Sequence, residues 1–423
     1  MRIKDVYTVK DFDFTIFENV QVQKKRKGQR GKTRYYDIVL AFDIETTNID
    51  EIRNSVMYIW QLQVGKVGSI TGRTWDEFRE CLDMIEAHSS TGDALYVTLV
   101  HNLSFEWQWL KNVIKIDDVF AMDDRKVLYF TSSMFEFRCT YIHSNMSLDK
   151  YVESVGGEYR KVKNYDYSKK RYYFTPLTDE ELEYCIMDVR SLEEAYTLQM
   201  ERDGDNLYSI PYTSTGYVRR EFKRALHKHR FEIKEALPDA EVFEGLRQAF
   251  RGGNTHANRW NADKILDNVT SYDISSSYPS VMLTELFPME FVKREPAKFE
   301  QALRFNRACL IHIELFDVML IDERFGAPYL PKAKLETVTE AVLDNGRVLS
   351  CEYCRLWLTE IDFTILLKEY EFSYNILELY TAKKKPLPKA FRELLLSMYV
   401  KKTEMKGGDE YAYNKYKNMV NAT

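Results

Sequence analysis

Cysteine is scarce in this chain, with six in 423 residues: Cys81, Cys139, Cys185, Cys309, Cys351 and Cys354. Only Cys351 and Cys354 form a close CxxC pair. A structural zinc site needs four ligands, so one CxxC with no second pair at a suitable spacing excludes a zinc finger or ribbon. The thiols are expected to be reduced, as in an intracellular protein. Long apolar runs are lacking too. None reaches the length of a membrane span, and the N-terminus carries no signal-peptide pattern, so the expectation is a cytoplasmic protein with no membrane partner. Internal repeats and low-complexity tracts are absent, which excludes a solenoid. Nor is positive charge in excess. The formal net charge is −5, which excludes a uniformly basic nucleic-acid coat but not local basic grooves.

Aromatic side chains are plentiful, with 29 Tyr and 24 Phe. Most are expected to fill cores, and some to offer stacking faces to unpaired bases. The length calls for two to four domains. Basic residues gather at Lys24-Lys25-Arg26-Lys27, followed by Arg30, Lys32 and Arg34, and again at Lys383-Lys384-Lys385 with Lys389. Each cluster is either a solvated loop or a nucleic-acid contact. Hydrophobic periodicity predicts strands over 37–45, 56–64, 94–101 and 128–137. It predicts helices over 74–87, 105–113 and 178–200, the last opened by a capping box between Thr178 and Glu181. Alternating strands and helices point to an α/β domain over the first two hundred residues. Asp203-Gly204-Asp205-Asn206 ends it. Beyond lie a helix over 214–236, a tight turn at Arg251-Gly252-Gly253-Asn254 and a strand over 269–274 carrying Asp273. A strand over 308–316 and helices after Pro386, broken at Gly407-Gly408, complete the reading.

Asp43-Ile44-Glu45 closes the first strand. Residues i and i+2 of a strand share a face, so the two carboxylates project together. Side by side they repel unless a cation lies between them, and oxygen donors suit Mg²⁺ or Mn²⁺. His101-Asn102-Leu103-Ser104-Phe105-Glu106 adds a carboxylate after another apolar strand. On the capped helix, Tyr184 and Asp188 stand four apart and share a face. In this order the segments resemble the three exonuclease motifs (DxE, Nx₂F-acid, YxxxD) of family B DNA polymerases with a DEDD-type proofreading domain. The resemblance implies that Asp43, Glu45 and Asp188 bind two metals and that Tyr184 positions the attacking water. It also implies that Asn102 and Phe105 hold a single-stranded 3′ end. Glu106 departs from the family, which has Asp there. Ser147-Leu148, in a short motif between these, resembles a contact to single-stranded DNA and to a priming terminal protein; Ser147 reads equally as a helix cap.

Asp273-Ile274-Ser275-Ser276-Ser277-Tyr278-Pro279-Ser280 resembles polymerase motif A, with Ser277 in place of the usual Leu. The likeness implies that Asp273 and the Ile274 carbonyl bind the catalytic metals, and that Tyr278 stacks beneath the incoming sugar. Phe250-Arg251-Gly252-Gly253 resembles the YxGG segment that follows the exonuclease domain, with Phe for Tyr, where Arg251, Gly252 and Gly253 would approach DNA phosphates. Lys417 and Asn421 resemble the start of motif B, and Lys401 a preceding triphosphate-binding lysine. Asp273 and Lys417 lie 144 positions apart, a spacing similar to that of the protein-primed phage subfamily, which carries a terminal-protein-region insertion there.

The fold class implied is a multidomain α/β and α+β chain. An RNase H-like exonuclease domain (1–205) would precede palm (206–290), insertion with return to palm (291–382) and fingers (383–423). Its partners would be primer-template DNA, a single-stranded 3′ end, dNTPs and a terminal protein, in the host cytoplasm. A motif C aspartate does not follow within the 423 residues, so the chain as given is expected not to polymerise DNA alone. A stand-alone 3′–5′ exonuclease and a non-catalytic subunit of a split polymerase are the alternatives.

Overall fold

The computed structural model describes residues 4–49, 54–123, 125–160, 165–230, 234, 237–322 and 328–423. The chain divides into two compact units, Met1–Arg220 with Tyr399–Ala422, and Glu221–Met398.

The first unit begins with β1 (Val6–Thr8), β2 (Tyr35–Asn48), β3 (Ser55–Val64), β4 (Gly68–Gly72) and α1 (Trp75–Ala87). It continues through β5 (Leu95–Val100), α2 (Leu103–Leu110), β6 (Asp118–Ala121), β7 (Val127–Ser132) and β8 (Phe135–Cys139). Helices α3 (Thr140–Ser144), α4 (Leu148–Val155), α5 (Asp179–Asp203) and α6 (Ser214–Ala225) follow, with the division between the units falling inside α6. Eight strands form one sheet in the order β1-β4-β3-β2-β5-β8-β7-β6. β2 lies inside it, antiparallel to β3 and parallel to β5. Its near-continuous apolar sequence follows from having both faces covered. Leu40, Phe42 and Ile44 enter a core with Trp60, Phe78 and Phe137. Val39 and Ala41, on the other face, pack with Val152 of α4 and Val189, Leu192 and Ala195 of α5. Alternation carries that second face on to positions 43 and 45.

The box of Thr178 and Glu181 that the sequence predicts opens α5, which ends at Gly204 with φ +63°, and Thr74 and Glu77 form a second box on α1. The strand expected over 128–137 is instead the hairpin β7–β8. Ser133, at φ +49°, turns the chain, so that Phe130 pairs with Phe137 across the ladder and both are buried.

In the second unit α7 (Ala240–Ala249) and α8 (Ser277–Thr284) precede β9 (Leu286–Arg294), α9 (Phe299–Arg304) and β10 (Ala308–Leu320). Then come β11 (Thr337–Thr339), β12 (Val342–Asp344), β13 (Arg347–Thr359), α10 (Glu360–Glu369) and β14 (Tyr370–Pro386). The antiparallel sheet runs β11-β13-β10-β14-β9, with β12 on β13. Its core joins Ile311, Ile313 and Leu315 of β10 to Leu356 and Leu358 of β13 and to Phe363 and Leu366 of α10.

Three expectations for this stretch do not hold. The helix over 214–236 is broken after Ala225 by a 3₁₀ turn at His227–His229, while Lys234 is again helical; residues 231–233 and 235–236 lie outside the described residues. Arg251-Gly252-Gly253-Asn254 is irregular with no turn, and neither glycine has positive φ. The Arg251 side chain is drawn inward to Asp362 (3.2 Å) and over the Tyr329 ring, a distant partner that no local turn rule anticipates. The strand over 269–274 is absent as well. No ladder partner adjoins it among the described residues, and an extended segment without one leaves its backbone groups to water.

α11 (Lys389–Glu404) and α12 (Glu410–Asn421) close the chain, separated by Gly407 at φ +82°. α12 belongs to the first unit. Asp203, at the end of α5, accepts from Tyr411 (2.8 Å) and Lys415 (2.5 Å), and Arg202 grips both oxygens of Asp409.

Candidate metal centre and the segments of the second unit

Asp43 and Glu45 project from the face of β2 that α5 covers, and Asp188 of α5 meets them. One carboxylate oxygen from each lies within 4.8 Å of the others, the sole such group of His, Cys, Asp or Glu side chains among the described residues. Gln61, opposite Asp43 in the β2–β3 ladder, donates Nε2 to its carboxylate at 3.1 Å. A register shift between Glu45 and Thr46, where β3 carries the extra residue Tyr58, puts an irregularity of the ladder beside the site, a common way to aim a side chain there.

Glu106 of α2 lies behind this set and is 3% exposed. Its Oε2 is buried without a hydrogen-bond partner. Burial, then the charge of Asp43, pushes its carboxyl well above the usual range. A carboxylate held this way is short of positive charge, and a bound cation would relieve it. Asn102 sits at φ +69° before α2, a left-handed position that Asn tolerates, and its side chain makes no capping bond. Asn102, Phe105, Glu106, Ser147 and Leu148 line one cleft of about 640 Å³ together with the three clustered acids. Phe105 is 43% exposed there. Ser147 occupies the N-cap position of α4 but makes no side-chain capping bond, so the cap reading of that hydroxyl fails.

Tyr184 opens into the same cleft within a group of phenols. Its ring stacks on Tyr165 at 4.0 Å, and its hydroxyl meets that of Tyr167 at 2.5 Å. The Tyr165 hydroxyl in turn meets that of Tyr58 at 2.5 Å. Burial, the bond with Tyr167 and the charges of Glu45 and Asp188 push the Tyr184 phenol far above the ordinary tyrosine range, so it is neutral at physiological pH. Arg171 braces the group, bonding Glu181 at 2.7 Å and lying over the Tyr165 ring at 4.5 Å. Sequence reasoning missed Gln61, Tyr165 and Tyr167. Gln61 carries a readable signal, a buried polar residue within an apolar strand. The two tyrosines have only their alternation shortly before Tyr184.

The second-unit candidates are differently placed. Asp273 is exposed, and Ile274 and Tyr278 are 75% and 71% exposed. Asp273 belongs to no cluster of three or more metal-ligating side chains among the described residues. Arg251 turns inward to Asp362, and Gly252 and Gly253 face open space. In the first unit, Lys401 lies over the Tyr416 ring and Lys417 lines a groove with Ser147, Lys150 and Asn414. Asn421 is exposed at the end of α12. No helix among the described residues is long and apolar enough to cross a membrane.

The family model for type B DNA polymerases, organellar and viral, matches residues 111–423. The DNA polymerase of Streptococcus phage Cp-1 is 23% identical over 312 residues, covering 70% of this chain and 53% of its own. That of Bacillus phage phi29 is 23% identical over 244 residues, covering 57% and 40%. The chain thus spans about half or less of the length of these two relatives. The structure of phi29 DNA polymerase complexed with single-stranded DNA shares the fold, with a TM-score of 0.68, 17% identity, and coverage of 91% of this chain and 66% of that one.

Proposed function

The chain belongs to the organellar and viral type B DNA polymerases, and from that premise we propose that residues 1–205 form a 3′–5′ proofreading exonuclease. The remainder supplies the palm segment (206–290), insertion (291–382) and fingers (383–423) of a protein-primed viral DNA polymerase. The convergence of Asp43, Glu45 and Asp188 within 4.8 Å carries this reading. An all-oxygen donor set, with the buried Glu106 lining the same cleft, fits Mg²⁺ or Mn²⁺. Asp43, Glu45 and Asp188 would hold the ions, and such a pair when bound supplies an activated water and a stabilised leaving 3′-oxygen. Tyr184, kept neutral, orients that water through its hydroxyl. Phe105 offers a ring face to the terminal base, Asn102 offers its amide, and Ser147 and Leu148 flank the strand.

For synthesis, Asp273 and the Ile274 carbonyl are the metal ligands of this proposal, and Tyr278 is the platform under the dNTP sugar. Lys401 and Lys417 neutralise the triphosphate, with Asn421 beside them. The partners are primer-template DNA, dNTPs and a terminal protein in the host cytoplasm. In the phage relative's solved complex the ligand is single-stranded DNA. The test is degradation of 5′-labelled single-stranded DNA with Mg²⁺ or Mn²⁺. Shortening from the 3′ end that stops on chelation supports the nuclease, and cleavage that survives chelation rejects it. A second reading, a stand-alone exonuclease, is favoured by the exposed Asp273, which joins no cluster of three or more metal-ligating side chains among the described residues. Primer extension by the 423-residue polypeptide would dismiss it.

A further inference from the structure

The cluster Lys383-Lys384-Lys385 is split by its strand. Along β14, Lys383 and Lys385 face one way and Lys384 the other. Lys384 is spoken for, with Glu360 at 2.9 Å and Asn306 at 3.2 Å. Neighbouring β9 repeats the pattern: Lys293 is held by Glu378 at 2.7 Å and Glu241 at 3.2 Å. The next residue, Arg294, turns to the same side as Lys383 and Lys385. These three, with Lys298 and Arg307 flanking α9, line a groove of about 490 Å³. Lys385 has one loose contact there, to Glu290 at 3.8 Å, while Arg294, Lys298, Lys383 and Arg307 have no acidic partner among the described residues. Phe305 stands in the same groove, 68% exposed.

Five cations and a bare aromatic ring in one concavity are an unusual surface for a chain whose net charge is −5. Solvated lysines spread over convex faces and find acids where acids are near, as Lys293 and Lys384 do here. Like charges collected in a groove repel one another and gain from a polyanion. The exposed ring selects among polyanions, because an unpaired base can stack on it while a duplex hides its base faces. We propose that this groove of the second unit binds single-stranded DNA, with Arg294, Lys298, Arg307, Lys383 and Lys385 tracking phosphates and Phe305 stacking a base. The proposal deepens the polymerase reading by giving the insertion a strand-binding surface, and it is independent of the nuclease chemistry.

The probe is fluorescein-labelled dT₂₀, titrated by anisotropy against the full chain in an Asp43→Ala background with EDTA, so that cleavage plays no part. Each phosphate contact to a single strand contributes about 0.7 to the slope of log K against log[salt]. Lys383→Gln/Lys385→Gln is therefore expected to flatten the slope by about 1.4, and Arg294→Gln/Arg307→Gln to do the same. Phe305→Ala is expected to weaken binding by about fivefold or more at an unchanged slope. Lys293→Gln, on the paired face, is expected to leave the slope alone. The same substitutions placed in a chain with Asp43 intact, tested on a short oligonucleotide, report whether the fold and nuclease survive. Wild-type slopes in both double variants overturn the proposal. So does a groove that binds polyglutamate but not dT₂₀, which would make its ligand an acidic protein.

Discussion

Asp43 lies on an interior strand of an eight-stranded sheet, paired with Gln61 of β3 and two residues past the last β2–β5 pair, whereas Asp273 lies on a segment with no ladder among the described residues. In sequence each reads as a carboxylate near the end of a short strand. The difference lies in what holds them. Three carboxylates within 4.8 Å repel, and only a backbone fixed from both sides keeps them there. β2 is fixed by β3 and β5, and α5 is anchored by its capping box and by Arg171, whose partner Glu181 stands at the helix start. Asp273 has no comparable support in the described chain. A motif therefore becomes a site when its neighbours hold it, and the two regions differ in neighbours more than in motif.

That comparison can be broken most directly by substitution. Asp43→Ala is expected to lower Mg²⁺-dependent 3′ cleavage by ~10³-fold or more, while Asp273→Ala leaves cleavage rates within experimental scatter. A large nuclease loss in the Asp273 variant would mean the two acids act together. Tyr184→Phe removes the hydroxyl that orients water and is expected to slow turnover by ~10²-fold with little change in KM, read by single-turnover kinetics. Glu181 sharpens the contrast through the scaffold. Although burial opposes ionisation, hydrogen bonds from Lys169, the Thr178 backbone and Arg171 bring its carboxyl down to about 2. A depressed acid stabilises the fold above its unfolded value, near pH 4.5, and that stability fades as pH falls toward 2. Glu181→Gln is thus expected to cost about 2 kcal/mol at pH 7, with the deficit shrinking below pH 4.5 in urea titrations. Glycine substitutions give the smaller effects. A Cβ on Gly72 would run into the Trp60 ring, so Gly72→Ala is expected to cost ~1–3 kcal/mol. Gly253→Ala, where a Cβ meets open space, is expected to stay within about 0.5 kcal/mol. Hydrogen exchange gives the complementary readout: fast over 269–274, slow over 40–45.

What could be read beforehand follows the same division. The Thr178–Glu181 box, the i, i+2 carboxylates and the i, i+4 pair Tyr184 and Asp188 are local patterns, and the structure keeps them. The losses occur where a distant partner decides. Residues 128–137 read as one strand because periodicity cannot see that Phe130 would rather pair with Phe137. Arg251-Gly252-Gly253 reads as a turn because Asp362, more than a hundred residues on, is invisible to a local rule. The phenols of Tyr165 and Tyr167 gather on Tyr184 through a loop whose path no spacing encodes.

The return of α12 to the first unit has a consequence in time. Asp203 and Arg202 wait for Tyr411, Lys415 and Asp409, with all of residues 221–398 to be made in between. At a synthesis rate of about 5–20 residues per second, the nascent first unit spends roughly ten to forty seconds before those bonds can form. Its strands can pair as they emerge from the ribosome, yet Arg202 and Asp203 gain these partners only once residues 409–415 have been made.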